Sequence, residues 1–296
     1  MLKNQKDQVE RIEMYGKETK KARDNFALGP NGTNFHLIGA MLDIKKAAAQ
    51  TYRELEMMEK WKADAIIFAC DELKKEKYRD NFCVHPLQGG GGTAIGLGDN
   101  ASRQYRFRVI EKLRDLTGIG LARAEYEVDL TQNNDVFVEV SGLLKAMAVN
   151  LMKIAGDLRW MNSGPKGGLG EIILQEVQAG STIMPGKVNP VIPEMVTQVA
   201  IKVMANDQAV ATAAASANFE LNAFLPLIAD SLLESLELLI RATELFRTKC
   251  IHTLRVNEAQ CRKHLEGSLA EVTHKAVEIG YEKAAEEARR KAKIDE

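Results

Sequence analysis

Residues 179–190 concentrate more potential chemistry than any other stretch of the chain, reading Ala-Gly-Ser-Thr-Ile-Met-Pro-Gly-Lys-Val-Asn-Pro. Two hydroxyls (Ser181, Thr182), an ammonium (Lys187) and a carboxamide (Asn189) lie within nine positions of one another. A serine hydroxyl is a poor base in water. It becomes a useful one only where its alkoxide is held by backbone N–H groups and a nearby cation, away from bulk solvent. Gly180 and Gly186 leave backbone exposed for that purpose, and a glycine-flanked loop can close over a substrate. Lys187 and Asn189 would supply charge-assisted and neutral hydrogen bonds to a carboxylate. The same residue types also build tight loops and helix caps, so composition alone leaves both readings open.

The loop must be positioned by the helix after it. Pro190 and Pro193 fit a helix that starts immediately beyond the loop, with Glu194 in its first turn, where negative charge is favourable. Three long helices are predicted. Val136–Met161 is apolar on most faces, Met195–Asn218 is rich in alanine with Lys202 and Asp207 its only charges, and Leu227–Phe246 is amphipathic. A helix apolar all round has to be surrounded by other helices. The expectation is therefore a bundle whose middle is shared between subunits, with a buried core helix in a monomer as the alternative.

Upstream, residues 1–88 read as short helices and loops, with helical spacing from His36 to about Lys60 and again over Trp61–Lys77. Asn100–Leu116 reads as a charged helix ending near Gly118. The glycine run Gly89–Gly92, continuing through Thr93 to Gly98, marks a loop; it lacks the Lys-Ser/Thr ending and preceding strand of a phosphate-binding loop. The final stretch, Glu282–Glu296, reads as a solvated, fraying helix. Strong helix formers dominate and aromatics make up only 6% of the chain, so the fold class is mainly α. Three regions are expected: an N-terminal helical region (1–92), a long-helix bundle carrying the loop (93–249) and a small C-terminal helical domain (250–296).

The 40 basic and 41 acidic residues nearly cancel, leaving no electrostatic footprint for nucleic acid or an anionic membrane. No apolar run is long enough to span a bilayer, and no export signal is read near Met1. Cys70, Cys83, Cys250 and Cys261 are scattered, which fits reduced thiols and a cytoplasmic location. His36, His252, His264 and His274 share no metal-ligand spacing and read as surface or packing residues. Met147, Met152, Met195 and Met204 read as core filler.

The loop resembles, almost residue for residue, the Gly-Ser-Ser-x-Met-Pro-x-Lys-x-Asn-Pro signature of the aspartase/fumarase superfamily. His85-Pro-Leu-Gln-Gly-Gly90, Gly92-Thr-Ala-Ile-Gly96, Phe137-Val-Glu-Val-Ser-Gly142, Ser163 to Ile172, Glu220-Leu-Asn222 and Gly280 to Ala285 extend the likeness from about Tyr15 to about Ala288. Pro190-Val-Ile-Pro-Glu194 is similar to the aspartase branch. The resemblance implies a truncated long-helix bundle and a reversible anti elimination of ammonia from L-aspartate to fumarate. Ser181 would be the general base, and Thr182, Lys187 and Asn189 would bind substrate carboxylates. Gly180, Met184, Gly186 and Glu194 would support the site. It further implies no metal and no organic cofactor, a small dicarboxylate substrate and a homo-oligomer, a tetramer in the family.

The sequence departs from the family pattern at one place. The His-Pro-x-Gln-Gly-Gly and Gly-Gly-Thr-Ala-Ile-Gly segments, far apart in the family, are fused here between Gln88 and Thr93. The motifs that lie between them in the family are absent, and in the family those motifs complete the site from neighbouring subunits. Leu97 stands where threonine is usual. This leaves two further expectations: a catalytically silent remnant that acts in oligomerisation or interaction, or a fumarate hydratase.

Overall fold

Helix boundaries follow local capping chemistry. The computed structural model describes residues 14–89, 101–178, 180, 184 and 186–292. Helix α1 (Lys17–Asn25) is followed by α2 (Phe35–Glu54), which begins where Asn34 Oδ1 accepts the His36 N–H at 2.9 Å. Helix α3 (Lys60–Leu73) is shorter than its apolar spacing suggests. Lys75 takes an extended conformation, and only a 3-10 turn at Glu76–Asn81 continues beyond it. Helix α4 (Arg103–Thr117) starts on Ser102, whose Oγ accepts the Tyr105 N–H at 3.2 Å, and stops at Gly118 with φ +68°. A short helix, α5 (Glu127–Gln132), precedes the long ones.

The three long helices are present as expected: α6 (Asp135–Met161), α7 (Val191–Ala215) and α8 (Leu225–Phe246), of 27, 25 and 22 residues. Helix α7 begins a turn earlier than its apolar pattern. Pro193 sits inside the first turn, where a missing N–H costs no helical hydrogen bond. It ends before Asn218, which exchanges backbone hydrogen bonds with Leu221 around Phe219, at φ +53°. Strands β1 (Ile172–Ile173) and β2 (Arg255–Val256) pair antiparallel, Ile172 opposite Val256. Helices α9 (Glu258–Glu266), α10 (Ala270–Ile279) and α11 (Tyr281–Ala292) complete a mainly α fold. Helix α11 touches α10, with Lys275 on α10 pairing with Glu287 at 2.7 Å and Ala284 buried, while residues 293–296 of the stretch expected to fray lie outside the described residues.

The chain divides into two compact units, Met1–Leu143 with Ala205–Ser235, and Leu144–Met204 with Leu236–Glu296. In the first, α2 packs on α3 and α4 through small residues, with Ala47, Ala49, Thr51 and Ala63 buried and Tyr52 stacked on Tyr105 at 4.7 Å. Ion pairs border these contacts: Lys46–Asp71 at 2.6 Å joins α2 to α3, and Lys112–Glu54 at 2.8 Å joins α4 to α2. Lys112 and Arg108 hold the Glu54 carboxyl below its usual range.

Among the described residues, the second unit has two apolar clusters. One gathers Ala155, Ile172, Leu174, Val196, Phe246 and Cys250; the other gathers Ala148, Ala200, Val203 and Leu239. Burial pushes the Cys250 thiol up to about 11, so it is an inert packing group at neutral pH.

Helix α6 buries only one side. Val136, Val140, Leu143, Met147 and Ile154 recur at four-and-three spacing and are 40–67% exposed. Met147 therefore faces outward, against the expectation that it fills the core, because Ala148 and Leu151 occupy the inward positions beside it.

Candidate functional site

The described part of the loop is organised around its stem. Asn189 Nδ2 donates to the Gly180 carbonyl across nine residues. Gly180 lies so close to the returning strand that a Cβ there would sit 1.7 Å from the Lys187 carbonyl oxygen and 2.6 Å from its carbon. Only glycine tolerates that approach. The Lys187 N–H donates to Met184 O at 3.3 Å, with Gly186 at φ +79° between them. A left-handed third residue of this kind is what a type II turn requires.

The stem leads straight into α7. The Val191 N–H donates to Asn189 O at 2.8 Å, and the Glu194 N–H donates to Pro190 O at 3.1 Å. Glu194 does occupy the first turn, with Arg159 of α6 at 3.9 Å. Lys187 is exposed, and among the described residues no carboxylate lies within ion-pair distance of it. An unneutralised ammonium beside the positive end of a long helix favours an anion.

The structure brings together Gly180, Met184, Gly186, Lys187, Asn189 and Glu194 along one stem. Ser181 and Thr182 lie outside the described residues, as does the stretch 90–100 that holds the fusion and Leu97. Among the described residues, no group of three or more His, Cys, Asp or Glu side chains could hold a metal ion.

Two features were not read from the sequence. The first is a clasp on the segment that follows α6. The Asn257 N–H donates to Glu171 O at 2.8 Å, and Asn257 Nδ2 donates to Gly170 O at 3.0 Å. His264 Nδ1 lies 2.8 Å from Glu171 Oε1 and its Nε2 lies 2.8 Å from Gln260 Nε2, so this histidine is a polar anchor and more than a packing group. The segment also closes on itself, Gly170 N–H donating to Ser163 O at 2.8 Å.

The second is a layer of buried polar groups in the first unit. Ser141 Oγ donates to Asp207 Oδ1 at 2.9 Å, and Asn206 Nδ2 reaches Glu234 Oε2 at 2.9 Å and Ser235 Oγ at 3.1 Å. Asn222, wholly buried, donates to Asn134 Oδ1 at 2.6 Å and to Ala213 O at 3.1 Å. The available signal was two adjacent polar residues, Asn206 and Asp207, in a helix rich in alanine and valine.

A bundle of long helices with a glycine-stapled loop at the start of its middle helix defines a class of protein. Residues 85–205 match the lyase family model. The chain is 49% identical over 196 residues to a class II fumarate hydratase of Pseudomonas aeruginosa, covering 66% of this chain and 43% of that protein. It is 45% identical over 205 residues to an aspartate ammonia-lyase of Helicobacter pylori, covering 69% and 44%. The chain thus spans less than half the length of these curated relatives. The crystal structure of fumarate lyase:delta crystallin from Brucella melitensis superimposes with a TM-score of 0.86 at 28% identity, covering 93% of this chain and 88% of that one. A class II fumarase from Schistosoma mansoni shares the fold, with a TM-score of 0.87 at 21% identity over 95% and 89%. The chain belongs to the aspartase/fumarase superfamily of lyases.

Proposed function

We propose that the chain is an aspartase-type lyase that eliminates ammonia from L-aspartate to give fumarate, and that it runs the reverse addition as well. The observation that carries this reading is the stapled stem, which holds the exposed Lys187 ammonium beside the start of α7. In this reading Lys187 and Asn189 hold one substrate carboxylate, and Thr182 donates to the other. Ser181 takes the proton from the carbon beside the second carboxylate, whose oxygens accept the electron pair as an aci-carboxylate dianion. Ammonia then leaves from the neighbouring carbon as the dianion collapses to the double bond. Gly180, Met184, Gly186 and Glu194 shape and support the loop, and no metal or organic cofactor takes part in the proposed chemistry.

Ultraviolet absorbance of fumarate tests this directly. L-Aspartate is expected to give a rising signal, and Ser181→Ala is expected to reduce the rate by at least about a hundredfold, the scale of a lost general base. A wild-type rate no greater than that of the variant sinks the proposal. Fumarate hydratase is the second reading, supported by the likeness to the Pseudomonas relative; faster turnover of L-malate than of L-aspartate in the same assay would select it.

A role in assembly is supported by the water-facing stripe on α6, which a second copy of the chain could cover. Light scattering is expected to give a mass above that of one chain, and Leu143→Asp to lower it. A monomeric wild type would remove this role.

A further inference from the structure

We propose that Asn206 and Asp207 form a register lock, whose buried hydrogen bonds fix the axial position of α7 against α6 and α8. Six of the eleven residues from 205 to 215 are alanine. An alanine-rich surface has shallow ridges, so apolar packing alone distinguishes one register from the next only weakly. Among the described residues, the buried apolar side chains of the three long helices in the first unit are Val210, Ala213, Ile228 and Leu232.

Polar groups supply the directionality that alanine lacks. Among the described residues, every buried polar side chain except Thr51 lies in α6, α7, α8 or the turns leading into them, all within the first unit. The bonds leave α7 in two directions. Asp207 accepts from Ser141 of α6 at 2.9 Å. Asn206 Nδ2 turns instead to α8, reaching Glu234 Oε2 at 2.9 Å, Ser235 Oγ at 3.1 Å and Ser231 O at 3.3 Å. Ser235 Oγ itself donates to Ser231 O at 2.8 Å, which leaves its lone pairs to accept from Asn206. A slide of α7 by one turn, about 5.4 Å, would put Val203 or Ala211 opposite Ser141. Neither side chain accepts a hydroxyl proton, and a buried group that loses its partner is costly. The layer therefore acts by penalising the shifted registers, as a buried polar residue does in a coiled coil. Helix α7 is unbroken from Val191 to Ala215, so a slide at Asn206 would move its first turn as well.

Spin-label distances on the full chain test the lock. Nitroxides are placed at Glu139→Cys of α6 and Gln208→Cys of α7, both exposed, with Cys83→Ser and Cys261→Ser removing the two native thiols that are not buried. Labelled chain is diluted into unlabelled chain, so that only distances within one chain are read. With the layer intact, one distance is expected. Replacing the layer by apolar groups (Ser141→Ala, Asp207→Leu, Asn206→Leu and Ser235→Ala together) should add a second population, its α7 label displaced by about one turn. The pairs Ser141→Ala with Asp207→Leu, and Asn206→Leu with Ser235→Ala, should each show that population at a smaller share, and they decide the matter if the fourfold variant does not fold. Asp207→Asn keeps an acceptor for Ser141 and should keep the single distance. Val203→Ala removes buried apolar contact from α7 and should also keep it, since a loss of stability alone does not shift the register. A single unchanged distance in the layer variants overturns the lock, as does a second population in Val203→Ala.

Discussion

Asn222→Leu is expected to lower the unfolding free energy by about 3–5 kcal/mol, although the two side chains are similar in size. Asn222 is wholly buried and takes part in three hydrogen bonds, donating to Asn134 Oδ1 and Ala213 O and accepting the Phe224 N–H at 2.8 Å. Leucine leaves Asn134 Oδ1 without this donor and the Phe224 N–H without its acceptor, while Ala213 O keeps only the Ser216 N–H at 3.3 Å. Each stranded group carries its own desolvation penalty of roughly 1–3 kcal/mol. Ser141→Ala is the comparison: it removes one donor from the shell around Asp207 and should cost about 1 kcal/mol. Urea unfolding at fixed protein concentration measures both. A loss below about 1 kcal/mol for Asn222→Leu would show that the three bonds add little to stability.

Gly180→Ala is expected to weaken succinate binding at least about tenfold, with a stability loss confined to roughly 1–3 kcal/mol. The added methyl would meet main-chain atoms of Lys187 and Val188, which cannot swing aside as a side chain could. The stem must part, and Lys187 moves with it. Combining Gly180→Ala with Asn189→Asp should add little further loss, because both changes open the same stem. Calorimetry with succinate measures the effect; wild-type affinity in Gly180→Ala would mean that the close approach at residue 180 does not position Lys187.

The long helices were legible because their apolar residues recur at helical spacing over five turns or more, which few other structures allow. The loop stood out because its prolines and glycines interrupt that spacing around four polar groups, but those residue types fit a tight loop or a helix cap as well, and its reading as a candidate site came from the resemblance. Its stem was harder to read. Nothing in the spacing of Gly180 and Asn189 says that a side-chain amide meets a carbonyl nine residues back, since the same asparagine could equally cap a helix. Met147 was misplaced for a related reason: periodicity identifies the faces of a helix but not which apolar face is covered. The clasp between Glu171 and His264 joins residues 93 positions apart, and no local pattern encodes such a pairing. Asp207 was visible as one of two charges in a bare helix, yet its partner Ser141 lies in another helix.

The clasp at Glu171 also implies a hierarchy of opening. Among the described residues, the two apolar clusters of the second unit draw nothing from α9, α10 or α11, which bury only Val272 and Ala284. A sheet of two strands, each two residues long, and the bonds from Asn257, Cys261 and His264 bind this tail to the segment after α6. Polar bonds at a partly wet surface each contribute far less than a buried apolar cluster. Within the second unit, opening of the last three helices therefore costs less than opening of the long helices, which stay folded while the tail lifts.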